Sequence, residues 1–158
     1  FMEHIGNVFS ETRDRVAIMS HETGKTDSPW KLYMTSAKTG AVLNLGVWCV
    51  DDAKKDFSYT MPTATALRNK WHHYAVVYDE ENLKISLYVD REKVIDESLP
   101  AKLIYNVEDK WRYYSFGAGG NNQPFDGWMD EIRLSEGVLG PDDFLRPDGR
   151  PGALLLVR

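Results

Sequence analysis

The acidic residues of "FDGWMDEIRLS" are the side chains in this sequence best placed to do chemistry. Side chains alternate along a strand, so Asp130 shares one predicted face with Trp128, Ile132 and Leu134, while Glu131 takes the other face. An unpaired carboxylate on an apolar face is costly. Asp130 therefore needs a partner, which could be a backbone donor, a cation or a reacting group.

Hydrolysis of a glycosidic bond with retention needs two carboxylates about 5 Å apart, facing the same bond. Asp130 and Glu131 are neighbours on a strand and point to opposite faces, so they cannot meet this requirement. The acids of "YDEEN" lie in a predicted turn, and those of "VIDESL" are again neighbours. We expect no catalytic residues, because no stretch supplies the acid and base geometry.

Metal binding has one candidate group. Calcium prefers oxygen ligands, and Asp130 could be joined by Asp126 and Asn122 of the adjoining loop, with Asn121 beside them. The competing interpretation is structural, with Asp130 accepting hydrogen bonds from a neighbouring loop or strand. We favour that interpretation, since no acid-rich loop of the EF-hand type is present.

The histidine and cysteine residues give weaker indications of a functional site. His72 and His73 are neighbours on a predicted strand and project to opposite faces, so they cannot chelate one metal together. The single cysteine, Cys49, shares its parity with Leu43, Leu45 and Val47, which is typical of a buried small apolar side chain.

Ligand binding on a strand face needs an exposed aromatic ring beside polar groups. Tyr88 meets this description on parity, because it shares the polar face of its strand with Lys84, Ser86 and Asp90. The predicted ligand-binding residues are Tyr88, Tyr78, Trp30 and Trp111. Packing in a core is the alternative role for each ring.

About ten strand-like runs are separated by turn residues, and no pattern predicts a helix of three turns. The segment "WHHYAVVYDEENLKISLYVD" predicts a hairpin closed by "DEEN". Two packed sheets or a closed barrel would bury so many strands. The run "ALLLVR" is a predicted last strand, and we expect it to pair with an early strand.

Composition excludes several classes of function. The chain has 158 residues, of which 42% are hydrophobic, and this predicts one domain over residues 1–158. Its net charge is −5 without a basic patch, which argues against nucleic acid as a partner. No apolar run is long enough to be a transmembrane segment.

Two blocks, "KWHHYAVVYDEENLKISLYVDREKV" and "FDGWMDEIRLSEGVLGPDDFLR", resemble the laminin G-like domains of the concanavalin A-like lectin/glucanase superfamily. The matching positions are Trp71, His73, Ala75, Leu87 to Asp90, Gly127, Asp130, Glu131, Arg133 and Phe144. Arg91 stands where the family usually has glycine, so we expect the turn after "YVD" to differ from the usual tight turn.

The resemblance implies an all-β jelly-roll sandwich of two antiparallel sheets, and a binding module within a larger secreted or cell-surface protein. It also implies a structural Ca²⁺ at the rim. We expect a non-catalytic module for glycans. The alternatives are a protein-interaction or spacer domain without sugar binding, and a divergent glycoside hydrolase.

Overall fold

The computed structural model describes residues 15–22, 29–37, 40–51, 53–61, 71–104, 113–117, 129, 132–144 and 154–157. The secondary structure of these residues consists of ten strands: β1 Arg15–Glu22, β2 Trp30–Ala37, β3 Gly40–Trp48, β4 Lys54–Thr60, β5 Tyr74–Asp79, β6 Lys84–Val89, β7 Glu92–Ser98, β8 Tyr113–Phe116, β9 Ile132–Ser135 and β10 Leu154–Val157. None of the described residues is helical, and none belongs to a helix that could span a membrane.

The strands form two five-stranded sheets, ordered β4-β3-β2-β1-β8 and β7-β6-β5-β10-β9. Each sheet belongs to its own compact unit. The predicted all-β jelly-roll class is confirmed by this arrangement. That residues 1–158 form a single domain stays a prediction.

The last strand pairs differently from our expectation. β10 pairs parallel to both β5 and β9, rather than with an early strand. Every other pairing in the two sheets is antiparallel. A parallel pairing requires a long connection, and the residues between β9 and β10 supply one.

In the first sheet, alternation along β2 and β3 produces one buried apolar face. Leu32, Leu43 and Leu45 are fully buried there, and Leu32 lies opposite Leu45. The intervening side chains belong to the other face, where polar groups alternate with Val42, Tyr33 and Trp48. Cys49 is buried beside this apolar row, as predicted, and burial raises the pKa of its thiol.

In the second sheet, the predicted hairpin of β5 and β6 is confirmed. Asp79 closes its turn by accepting hydrogen bonds from the backbone N–H of Asn82 at 3.0 Å and from Asn82 Nδ2 at 2.8 Å. Such a side-chain contact within a turn explains why the acid precedes "EEN".

The turn between β6 and β7 contradicts our prediction. It is a tight two-residue turn after all, with positive φ at both Asp90 (52°) and Arg91 (72°), which is the backbone of a type I′ hairpin. A non-glycine residue is strained there. The Arg91 guanidinium gains hydrogen bonds in return, because Nε and Nη2 both donate to Pro141 O, at 2.9 and 2.6 Å.

Residues 138–144, named the strap below, lie against one face of the second sheet. Phe144 is buried there in a cluster with Ala75, Val77 and Tyr88. Arg133 Nη2 donates to Asp143 O at 2.6 Å, while Arg91 holds Pro141. Arg91 of the β6–β7 turn and Arg133 of β9 therefore fix the strap, and this gives a packing reason for arginine and phenylalanine at these positions.

β9 does not bury the apolar face that we expected. Ile132 and Leu134 remain 45% and 49% exposed. The physical reason is that β9 ends the sheet and pairs with β10 alone among the described strands. Trp128 and Asp130 lie outside the described residues.

The hydroxyl group of Tyr74 is buried and contributes nothing to the packing. Its ring is fully buried, burial raises the pKa of its phenol, and its hydroxyl has no hydrogen-bond partner among the described residues. An unsatisfied buried hydroxyl costs about 1 to 3 kcal/mol. We expect Tyr74→Phe to raise the free energy of unfolding by about 1 kcal/mol, measured by urea denaturation.

Tyr88→Phe is the matched control, because the Tyr88 hydroxyl does have a hydrogen-bond partner, Lys93. That variant should be neutral or less stable than the parent chain. Equal effects of the two substitutions would show that the Tyr74 hydroxyl is satisfied.

Candidate functional site

Three of the predicted ligand-binding rings are buried. Tyr88, Tyr78 and Trp30 are 6%, 5% and 3% exposed. Phe144 packs edge-on against Tyr88 with ring centroids 4.9 Å apart, so the strap covers the face on which we expected Tyr88 to be open. These three rings do not meet the requirement of exposure on which the prediction rested.

The fourth ring and the candidate metal ligands cannot be compared in this way. Trp111, Asp126, Asn122 and Asp130 lie outside the described residues. Within the described ranges, no group of three or more His, Cys, Asp or Glu side chains could hold a metal ion. The calcium site at residues 122, 126 and 130 stays a prediction.

Asp90 organises the end of the β5–β6 hairpin. Its carboxylate accepts a hydrogen bond from His72 Nδ1 at 2.7 Å and another from the His73 backbone N–H at 3.0 Å. Burial alone would raise the pKa of this carboxyl, but the two hydrogen bonds lower it overall. Asp90 and His72 are as close as the acid and base of a hydrolase. They lack the access to a substrate that such a pair needs, since His72 Nε2 is buried without a partner in the described structure. Their role is to anchor the turn.

His73 is a buried base on the strap side of the second sheet. Its ring centroid lies 5.5 Å from that of Phe144, and neither ring nitrogen has a partner among the described residues. Burial lowers the pKa of His73, Asp90 opposes this shift, and the positive charges of Arg91 and Arg133 add to it. The folded chain therefore favours the neutral form of His73.

We expect stability to fall as the pH drops below about 6.5, the pKa of an unperturbed histidine. Below that pH the unfolded chain binds a proton at His73 that the folded chain does not bind. The free energy of unfolding therefore falls by up to about 1.4 kcal/mol per pH unit. Urea denaturation at several pH values between 5 and 8 measures the slope. His73→Leu should flatten it, whereas an unchanged slope in that variant would assign the effect to another group.

The open polar face lies on the first sheet. We call it the Trp48 face, and its members are Lys31, Tyr33 and Thr35 of β2, Asn44, Gly46 and Trp48 of β3, and Lys54, Asp56 and Ser58 of β4. Side-chain contacts form two groups on this face. Asn44 contacts Thr35 and Ser58, and the second group surrounds Trp48 and consists of Lys31, Tyr33, Lys54 and Asp56. Tyr33 and Trp48 are both partly exposed.

The centre of the Trp48 face is made of small polar groups. Asn44 Nδ2 donates to Thr35 Oγ1 at 3.0 Å and to Val42 O at 3.1 Å, and its Oδ1 accepts from Ser58 Oγ at 2.9 Å. These bonds use both amide hydrogens of Asn44. Asn44 is therefore held rigidly, and the hydroxyls of Thr35 and Ser58 keep lone pairs for a ligand.

Gly46 leaves room for two charged side chains beside its backbone. A Cβ atom at this position would lie 2.8 Å from Asp56 Oδ1 and 3.5 Å from Lys31 Cγ and Cε. The Lys31 chain uses this gap to cross β3. Glycine is needed here because of this close approach, and not because of its backbone conformation.

Two ammonium groups converge on the indole of Trp48. Lys31 Nζ lies 4.7 Å and Lys54 Nζ 5.2 Å from the ring centroid. Lys54 is also paired with Asp56 at 2.9 Å. Cation–π contacts hold the ring in place, and each ammonium group carries three N–H donors near its edge.

This arrangement supplies what recognition of a hydroxylated ligand requires: aromatic surface, flanking hydrogen-bond donors and acceptors, and a rigid sheet that holds them. Our sequence reasoning missed it. The signal was present in "WKLYMTS", where Lys31, Tyr33 and Thr35 have one parity and alternate with apolar residues.

Comparison with protein families gave a match over most of the chain. The family model described as Laminin_G_3, of the concanavalin A-like lectin/glucanases superfamily, matches residues 7–143. Comparisons with curated proteins and with solved structures found no significant match.

Proposed function

Because the chain belongs to the laminin G-like family of the concanavalin A-like lectin/glucanase superfamily, we propose that it is a non-catalytic module that binds a carbohydrate on the Trp48 face. The family suggests a binding module, and the superfamily includes lectins. The observation that supports this surface is the pair of partly exposed rings, Tyr33 and Trp48, beside the polar row of Thr35, Asn44 and Ser58.

The mechanism follows from the side chains present. A sugar ring has apolar C–H faces and a hydroxyl rim, so it can contact an aromatic side chain and hydrogen-bond to polar neighbours at once. Lys54 and Lys31 donate at the edge of the indole, and Asp56 accepts. The two ammonium groups outnumber the one carboxylate, so a sugar that carries an acidic group gains further attraction.

The family is generally non-catalytic, and we propose the same for this chain. Asp90 and His72, whose Oδ2 and Nδ1 lie 2.7 Å apart, hold a turn. Laminin G-like domains are typically extracellular, and we propose a secreted or cell-surface location for this chain.

A glycan array probed with the labelled chain tests the proposal, followed by calorimetric titration of the best ligand. We expect Lys54→Ala to weaken binding. Lys93→Ala is the matched control, because Lys93 also lies over an aromatic ring, that of Tyr88 at 5.7 Å, and also pairs with an acid, Asp96 at 3.3 Å. Equal affinities of the two variants would contradict binding on the Trp48 face.

A second candidate function is protein interaction without sugar binding. Ile132 and Leu134 favour it, since exposed apolar side chains on an edge strand can contact a partner protein. An array without hits, together with a partner whose binding is lost in Leu134→Asp, would support this alternative.

A further inference from the structure

We propose that the strap is an acid-sensitive cover of the second sheet, whose opening is coupled to proton binding at His73. The strap leaves the sheet surface while the strands beneath it stay paired, so this opening differs from unfolding of the chain. The proposal concerns the strap and the sheet that it covers, and it does not depend on sugar binding on the Trp48 face.

The strap is attached to the second sheet by few contacts. Phe144 is its only buried residue, and Leu139 packs partly against the same cluster. The strap contains no strand residue. The N–H groups of Gly140 and Asp143 bond within the strap, to Asp143 Oδ2 at 3.4 Å and to Gly140 O at 3.0 Å. Release of the strap therefore removes side-chain packing but breaks no ladder of the sheet.

Two arginine side chains supply hydrogen bonds that tie the strap to other described residues. Arg91 donates to Pro141 O, and Arg133 donates to Asp143 O. The ion pair of Arg91 with Asp142 at 3.3 Å adds little, since the Asp142 side chain is fully exposed. A segment held by side chains opens at a lower free-energy cost than a strand within a sheet.

The buried anchor of the strap covers a base without a hydrogen-bond partner. His73 is 2% exposed, and its ring centroid lies 5.5 Å from that of Phe144. Neither ring nitrogen has a partner in the described structure. A protonated imidazole carries two N–H donors, and a buried charge without a partner is costly. The closed strap therefore disfavours the proton, whereas opening lets water reach the ring.

The charges near His73 do not compensate for a proton on its ring. Arg91 and Arg133 repel a further positive charge, and Asp90 attracts it. The two Asp90 oxygens, however, already accept hydrogen bonds from His72 Nδ1 and from the His73 backbone N–H. Within the described ranges, the titratable and charged side chains on the surrounding elements are Asp90 and Arg91 of the β6–β7 turn, Arg133 of β9, Asp142 and Asp143 of the strap, Tyr88 of β6, Lys93 of β7, and the adjacent His72 and Tyr74, while β10 carries none.

Opening and protonation are linked through this difference between the two states. In the open state His73 is close to water, and its pKa returns towards the ordinary value of about 6.5. In the closed state burial keeps its pKa lower. The ratio of open to closed chains is therefore constant above about pH 7, and it rises up to about tenfold for each pH unit below about 6.5. From pH 8 to pH 5 the rise is at most about thirtyfold.

Opening changes the surface of the second sheet. It uncovers the cluster of Ala75, Val77 and Tyr88. The Tyr88 ring, which Phe144 covers at 4.9 Å, then reaches solvent beside Lys93 Nζ, which lies 5.7 Å from its centroid. Acid therefore shifts the population towards a state that presents an aromatic ring next to a cation.

Thiol labelling on the two faces of β5 measures the opening. In a Cys49→Ala background, Val77→Cys places a thiol in the cluster that Phe144 covers, and Val76→Cys places one in the next position of the same strand, on its opposite face. The labelling rate with a pyridyl disulfide, divided by the rate of the same thiol in urea at the same pH, gives an opening constant. We expect the constant at position 77 to exceed that at position 76 at least about tenfold at every pH. It should rise about ten- to thirtyfold from pH 8 to pH 5.

Three further variants make the test specific. Ala75→Cys, at a second position of the cluster, should report the same opening constant as Val77→Cys. His73→Leu, added to Val77→Cys, should remove the rise at acid pH. His21→Leu replaces another buried histidine, in the first sheet, and should leave the rise unchanged.

Three results would overturn the proposal. Equal opening constants at positions 76 and 77 would mean that the sheet itself opens. A constant at position 77 that does not change between pH 8 and pH 5 would separate the strap from any proton. A rise that persists in His73→Leu would assign the proton to another group.

Discussion

Phe144→Ala is expected to lower the free energy of unfolding by about 3 to 5 kcal/mol, the range measured for removing a buried phenylalanine. Phe144 is buried against Ala75, Val77 and Tyr88, with Leu139 packed on the same cluster. The substitution also removes an edge-to-face aromatic pair. The cavity can close only if the strap moves, and the hydrogen bonds from Arg91 and Arg133 oppose that movement.

Val138→Ala is the control in the same segment. Val138 is 59% exposed, so its truncation should change the free energy of unfolding by less than about 0.5 kcal/mol. Urea denaturation of the two variants measures the difference. Similar small losses for both would show that the strap does not contribute to the folded core.

Trp48→Ala is expected to weaken glycan binding at least about thirtyfold, as is found for a central aromatic residue of an interface. The indole is the ring on which both Lys31 and Lys54 converge. Its removal therefore takes away the aromatic surface and also releases two donors. Titration calorimetry with the best array ligand measures the loss.

The fold of the Trp48→Ala variant should survive. The Trp48 backbone keeps its hydrogen bonds, from its N–H to Pro29 O at 3.0 Å and from Ile104 N–H to its carbonyl at 2.8 Å. Trp48→Leu controls for volume, since it keeps apolar bulk without a π face, and it should lose nearly as much affinity as the alanine variant. Full affinity in both variants would exclude the indole from the binding surface.

Much of the fold could be predicted from the sequence because its signals are local. Alternation in "LKISLYVD" predicted β6, and the turn formers of "DEEN" predicted the hairpin. The failures arose where a distant segment decides the environment. Tyr88 has the parity of a polar face, but residues more than fifty positions later cover it, and alternation within one strand carries no information on that contact.

The prediction for the turn at Asp90 and Arg91 failed for a related reason. Glycine is the residue expected at positive φ, so arginine predicted a different turn. The strain is offset by hydrogen bonds to Pro141, which lies fifty residues away. The Trp48 face was missed because its polar parity is divided among three strands, and only their pairing brings Tyr33, Asn44 and Ser58 into one row.

The central claim is that sugar contacts the outer face of β2, β3 and β4. An NMR titration of the isotope-labelled chain with the best array ligand tests it most directly. We expect the indole N–H of Trp48 and the amides of Tyr33 and Ser58 to shift, while those of Tyr78 and Tyr88 stay in place. Shifts confined to the second sheet, with an unmoved Trp48 signal, would contradict the account.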